Sequence, residues 1–138
     1  MPDDVIYFVF TDRFADGDQT NNDPAKSKGL YDRKKGRHYH GGDLQGVLDR
    51  LDWLVSLGVQ TVWLSPVFAM RPDKYGPYGA FHGYWTWNLT RIDPRFGDEA
   101  LLARLSDALH ARGMRLVMDL VLNHVGPDAP LVKQRPEW

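Results

Sequence analysis

Asp119, Asn123 and His124 stand in a run that is otherwise almost entirely apolar. Positions 115–124 read Arg-Leu-Val-Met-Asp-Leu-Val-Leu-Asn-His, six apolar side chains around a single acid and then two polar groups. Carboxylate, amide and imidazole groups bind protons, sugar hydroxyls and metal ions. Leu, Val and Met at this density predict a strand buried on both faces, as in a parallel sheet covered by helices. An unpaired carboxylate inside such a strand is costly, so Asp119 is expected to have a partner. Asn123 and His124 emerge where the strand becomes loop, the end at which parallel α/β folds place their chemistry.

A second group of oxygen donors runs Asp16-Gly17-Asp18-Gln19-Thr20-Asn21-Asn22-Asp23. Hard oxygen ligands at this density suit Ca2+. The run is not an EF-hand, whose sixth position would be Asn21 in place of Gly and whose twelfth would be Ser27 in place of Glu. It also reads as a polar turn whose Asx side chains cap their own backbone, and spacing alone leaves both open. Gly41-Gly42-Asp43-Leu44-Gln45-Gly46 fits neither G-x-G-x-x-G nor the P-loop. Asp43 is a helix cap, or a further oxygen ligand folded back onto the first loop. His38 and His40 alternate and could face one metal, although solvated loop histidines are commoner. A third cluster is aromatic: Tyr75, Tyr78, Phe81, His82, Tyr84, Trp85 and Trp87. Flat rings stack on the apolar face of a pyranose while neighbouring polar groups bond its hydroxyls. The same tryptophans could simply pin the loop. Tyr84 is the best stacking candidate, because the preceding Gly gives its backbone clearance.

The elements that must position these groups follow from pattern. Val5-Ile6-Tyr7-Phe8-Val9-Phe10 predicts a buried first strand, leaving through Thr11-Asp12-Arg13-Phe14. Positions 16–42 are polar and aperiodic, a long loop of the length that is usually functional or disordered. Asp43 caps a helix to about Leu57, with Leu44, Val47, Leu48, Leu51, Leu54 and Val55 on one face and Gly58 closing it. Gln60-Thr61-Val62-Trp63-Leu64 is the second strand, stopped by Ser65-Pro66, and the aromatic cluster lies in a second long loop. Asp98 starts a helix with Leu101, Leu102, Leu105, Ala108 and Leu109 on one face, ended by Gly113. The order β, helix, β, helix, β implies parallel strands joined by right-handed crossovers.

Composition bounds the reading. At 138 residues and 43% hydrophobic content the chain has room for one core. A net charge of −1 argues against a nucleic-acid partner. Charge is unevenly spread: 12–23 carries four Asp and one Arg, whereas 26–40 carries six Lys or Arg against Asp32. The basic run reads first as a solvated loop. Without cysteine there is no disulfide or thiolate metal site. No apolar run reaches 18 residues, which argues against a membrane partner, and Met1-Pro2-Asp3-Asp4 does not open like a signal peptide, so the compartment stays open.

Taken together these motifs resemble the α-amylase family of retaining glycoside hydrolases and transglycosylases, glycoside hydrolase family 13, and its cyclodextrin-related branch. Thr11-Asp12-Arg13-Phe14 resembles the end of the family's first barrel strand and Trp63-Leu64-Ser65-Pro66 that of its second. Phe81-His82-Gly83-Tyr84-Trp85 resembles its sugar-platform loop, and Asp119-Leu120-Val121-Leu122-Asn123-His124 its first signature region, D-x-x-x-N-H. The resemblance runs from Tyr7 to Trp138 and implies an α/β fold in which 1–138 is the N-terminal portion, about three βα units, of a TIM (β/α)8 catalytic domain, ending near the start of the inserted domain B. It implies that Tyr84 stacks under the sugar at the cleavage subsite, that His124 bonds that sugar, and that His82 and Trp85 shape the pocket. Asp119 would be a buried orienting acid paired with a later Arg. Asn123 matches a calcium position between barrel and inserted domain. Asp16, Asp18, Asn21, Asn22, Gly41 through its carbonyl, and Asp43 resemble a separate calcium site.

The resemblance also implies an α-glucan or maltooligosaccharide substrate. Retaining hydrolysis needs two carboxyl groups about 5 Å apart, and the family carries them after strands four and five, beyond residue 138. The 138-residue polypeptide is therefore expected to be inactive on starch, and marginally stable because its strand faces lack an opposing layer. The alternative is a stand-alone, non-catalytic calcium- and carbohydrate-binding module. A doubly wound nucleotide binder is disfavoured, since no Gly-rich turn follows the first strand.

Overall fold

The computed structural model describes residues 4–137; Trp138, where the resemblance ends, lies outside the described residues. Three short strands, β1 (Ile6–Val9), β2 (Thr61–Leu64) and β3 (Arg115–Met118), form a parallel sheet in that order. Their registers run straight across, with Tyr7 beside Val62 and Leu116, and Val9 beside Leu64 and Met118. Those six side chains face the helices and join one core cluster. The opposite face is open: Phe8, Trp63 and Val117 sit side by side in register and are 42%, 40% and 44% exposed.

The helices cover one side only. Asp43 caps α1 (Leu44–Asp49), which is followed directly by α2 (Leu51–Ser56). The expected single helix is thus interrupted at Arg50, whose N–H bonds back to the Val47 carbonyl at 3.1 Å, a tightened turn of the i to i−3 kind. No Gly or Pro marks the break. Leu44, Val47, Leu51 and Leu54 are buried as the pattern requires, whereas Val55 is exposed, beyond the turn that rotates the helix. Asp98 caps α3 (Glu99–His110), accepting from the Leu101 N–H at 2.7 Å; Leu101, Leu105 and Leu109 are buried, and the helix packs on α1 and β3. Among the described residues no helix is long and apolar enough to cross a membrane.

Two expectations are corrected. The strand read over 115–122 stops at Met118, so Asp119 lies just past the strand and not inside it, and β3 is buried on one face only. The cause is the neighbour: β2 ends at Leu64, and Pro66 has no N–H to extend a ladder. The second long loop is not all loop, because β4 (Phe68–Met70) and β5 (Thr86–Ile92) pair antiparallel within it. The aromatic cluster is carried between them, at the tip and on the start of β5.

Both helix caps are carboxylates, but they differ in load. Asp98 accepts one cap bond, while the fully buried Asp43 accepts from Gly46 N–H at 2.6 Å and Gly17 N–H at 3.2 Å on one oxygen. Its other oxygen accepts from Asp18 N–H at 2.8 Å and Asn21 Nδ2 at 3.1 Å. Asp98→Ala is expected to cost about 1 kcal/mol in denaturant unfolding. Asp43→Ala is expected to cost about 3 kcal/mol or more, because it strands buried donors as well as the cap.

Candidate functional site

Two clusters form at the end of the sheet where strands give way to loops. The first joins the β4–β5 hairpin to the exit of β3. The Tyr84 hydroxyl donates to Asp119 Oδ2 at 2.9 Å, and His124 Nε2 lies 3.1 Å from the Tyr84 carbonyl oxygen, to which it donates when protonated there. The Tyr84 N–H donates to His82 Nδ1 at 3.0 Å, so the His82 proton sits on Nε2. Burial holds His82 below its ordinary value and keeps the ring neutral. Its ring lies nearly parallel to Tyr84 and edge-on to Trp85, with centroids 6.0 and 4.8 Å away. Gly83 makes the turn possible: its φ is +87°, and a Cβ there would stand 2.1 Å from the Pro66 carbonyl oxygen.

Asp119, half-buried just past the strand, bonds a partner, and among the described residues that partner is a phenol. The phenol responds. Burial first, and the Asp119 carboxylate second, push Tyr84 up to about 12. The loop behind His124 is clamped from the hairpin, as Trp87 Nε1 and Arg71 Nη1 both donate to the Pro127 carbonyl at 3.0 and 2.8 Å. Arg71 also pairs with Asp128 at 2.7 Å. Sequence reasoning did not single out Arg71, which pairs with the nearby Asp73 and with two groups 56 and 57 positions away. Asn123 is exposed and bonds to neither cluster among the described residues.

The second cluster gathers Asp16, Asn21, Asn22, Gly41 and Asp43, with Asp18 at its edge. Asn22 Nδ2 donates to Asp16 Oδ2 at 2.9 Å. Asp16 Oδ1, Asn21 Oδ1 and Asn22 Oδ1 are buried oxygens without a hydrogen-bond partner among the described residues. Gly41 has φ +88°, and a Cβ there would meet Asn22 Oδ1 at 2.3 Å and Asp16 Oδ2 at 2.9 Å. The Asp18 carboxylate accepts from Thr20 N–H and hydroxyl at 3.0 and 2.6 Å, which holds it below the usual range. Among the described residues no group of three His, Cys, Asp or Glu side chains stands ready for a metal; the orphaned oxygens here are mostly amide. His40 Nε2 lies 3.1 Å from the Lys35 carbonyl oxygen, and His38 Nδ1 is buried without a hydrogen-bond partner among the described residues.

Asp12, also missed as a site residue, pins this cluster from below. Its carboxylate accepts from the His40 N–H at 3.0 Å and the Gly41 N–H at 3.4 Å and pairs with Arg13 Nε at 3.1 Å. Burial outweighs those donors and raises it to about 6. The opposite charges at 12–13, directly after a core strand, were the available signal.

The sequence profile described as alpha amylase, catalytic domain, matches residues 8–135. The chain is 39% identical to the periplasmic alpha-amylase of Escherichia coli over 88% of its own length and 19% of that protein. It is 40% identical to the cyclomaltodextrin glucanotransferase of Paenibacillus macerans, covering 90% of this chain and 18% of that one. The crystal structure of an Anoxybacillus alpha-amylase superposes with a TM-score of 0.85 at 33% identity, over 98% of this chain and 27% of that one. The chain thus spans about a fifth of the length of the relatives it matches.

The Tyr84 phenol is stable in its neutral form, so its stabilising contribution is full below about pH 10 and is lost as pH rises toward 12. Asp119→Asn is expected to lower the Tyr84 midpoint toward the ordinary value, without reaching it, in NMR titration of ring-labelled tyrosine. An unchanged midpoint would show that the phenol does not feel Asp119.

Proposed function

Because the chain belongs to the α-amylase catalytic-domain family, we propose that it is the first three βα units of a TIM (β/α)8 domain acting on α-glucans by retaining hydrolysis or transglycosylation. The observation that carries this reading is the union of Tyr84, Asp119 and His124 at the carboxyl ends of parallel strands, the face on which such barrels build their sites. The open apolar face of Phe8, Trp63 and Val117 adds support, since an inner barrel layer needs strands opposite it. That same face disfavours a stand-alone binding module.

In this reading Tyr84 presents a ring to the apolar face of a glucose unit, with His82 and Trp85 behind it. His124, anchored on the Tyr84 carbonyl, turns an imidazole toward the sugar hydroxyls. Asp119 accepts the Tyr84 proton bond and thereby fixes the ring. It orients and does not attack, because a retaining nucleophile works with a second carboxyl group about 5 Å away, whereas Asp119's partner is a phenol. The attacking and proton-donating carboxylates would come from strands beyond these residues.

Calcium fits the acidic loop on the evidence of its three orphaned oxygens. Asp16, Asn21, Asn22 and the Gly41 backbone would hold it, with Asp18 at the rim. Asp43, already surrounded by four N–H donors, anchors the loop more than it ligates. A bound ion would neutralise the cluster and tie the loop to the start of α1. Asn123 is proposed as a ligand of a separate ion between barrel and inserted domain.

The purified 138-residue polypeptide is expected to release no reducing ends from starch, while the protein at its full natural length releases them. Activity of the short polypeptide, free of host amylase, would refute the assignment of the reacting carboxylates elsewhere. At natural length, chelation is expected to lower Tm by several degrees, and Asp16→Ala to abolish that response. A wild-type melting curve indifferent to chelator would reduce the loop to a turn.

A further inference from the structure

A basic groove of about 600 Å³ lies beside the aromatic cluster, lined by Lys35, Gly36, Arg37, His38, Lys74 and Pro77 among others. It joins the basic segment after the acidic loop to the tip of the β4–β5 hairpin. Lys35 is partly neutralised by Asp32 at 3.0 Å. Arg37 and Lys74 have no acidic partner within ion-pair distance among the described residues. His38 Nδ1 is buried without a hydrogen-bond partner among the described residues.

The groove is fixed in place. The Arg37 carbonyl accepts from the Gly79 N–H at 2.8 Å, and its guanidinium lies 4.8 Å from the centroid of the Tyr78 ring. Tyr78 is itself held by paired backbone bonds with Tyr75, at 2.8 and 3.1 Å, across a Gly76-Pro77 turn. Its ring stands edge-on to Trp85 at 6.4 Å, and Trp85 to His82 at 4.8 Å. Arg37 therefore sits one ring beyond the aromatics assigned to the sugar, with Lys74 lining the same groove. Confined cations of one sign strengthen the local potential, and an Arg fork matches the oxygens of an oxyanion.

We propose that this groove receives a phosphate monoester carried by an α-glucan whose neutral units lie along Tyr78 and Trp85, an inference that rests on the α-glucan reading above. A monoester carries close to two negative charges at neutral pH, matching Arg37 and Lys74. An exposed basic loop with no neighbouring ring would bind any anion. Here the adjoining rings add a requirement for sugar.

The test is calorimetry on the protein at its full natural length with three probes: inorganic phosphate, a neutral maltooligosaccharide, and the same oligosaccharide phosphorylated on a 6-hydroxyl. The phosphorylated sugar is expected to bind about tenfold more tightly than the neutral one at low salt, an advantage that shrinks as ionic strength rises to about 0.15 M. Arg37→Gln with Lys74→Gln should reduce the advantage, read as the ratio of the two sugars' affinities for the same variant, below about twofold, and Arg37→Lys should restore part of it. Equal affinity for the two sugars, or an advantage that survives the double variant, overturns the proposal. So does binding of inorganic phosphate with no gain for the phosphorylated sugar, which would make the groove a free-anion site. Failure of the neutral sugar to bind, by contrast, strikes the α-glucan reading itself. Should the double variant not fold, the salt dependence of the wild-type advantage decides.

Discussion

A carboxylate withdrawn from water must be supplied with donors, and in this chain three such carboxylates hold the long connections in shape. Asp12, Asp43 and Asp93 are all essentially inaccessible to solvent. Each accepts backbone N–H groups of the long connections: Asp12 those of 40–41, Asp43 those of 17–18, Asp93 those of Met70, at the end of β4, and Arg95. Donors in irregular backbone are as demanding as acceptors. The exchange satisfies both sides and turns the connections over 15–42 and 65–97 into fixed architecture.

That architecture determines what can be presented at the end of the sheet. The first loop returns against its own starting point, so amide and carboxylate oxygens face one another around Gly41. The second folds as a hairpin pinned at its base by Asp93, and at its far end Gly83 turns Tyr84 toward the exit of β3. An aromatic cluster and an oxygen cluster thus rest on the same sheet. Pre-set geometry of this kind reduces the ordering cost of recognition.

Much of this was visible in the residues. The three parallel strands, both carboxylate caps and the helical faces followed from β-branched runs, Asx positions and spacing, since local rules and the fold agree there. The hairpin was not visible, because Gly and Pro between 72 and 83 masked the Thr-Trp-Asn-Leu-Thr-Arg-Ile stretch that makes β5. Its exposed middle also blurs the two-residue alternation. The premature end of β3 depends on Pro66 in a neighbouring strand, and a reading of the Leu-Val-Leu run alone has no access to that. Asp119 announced its need for a partner; that the partner is a Tyr 35 positions earlier is a property of the assembled loop.

The even spacing of the sheet has a consequence for how the chain is made. Ile6 aligns with Thr61 and Thr61 with Arg115, steps of 55 and 54 residues, so within the parallel sheet each strand lies beside the sheet strand made before it. A chain emerging from the ribosome can add each unit to an edge that already exists, without waiting for a distant segment. The Phe8–Trp63–Val117 surface, left open by that order of assembly, is the part of the sheet most exposed to non-specific association.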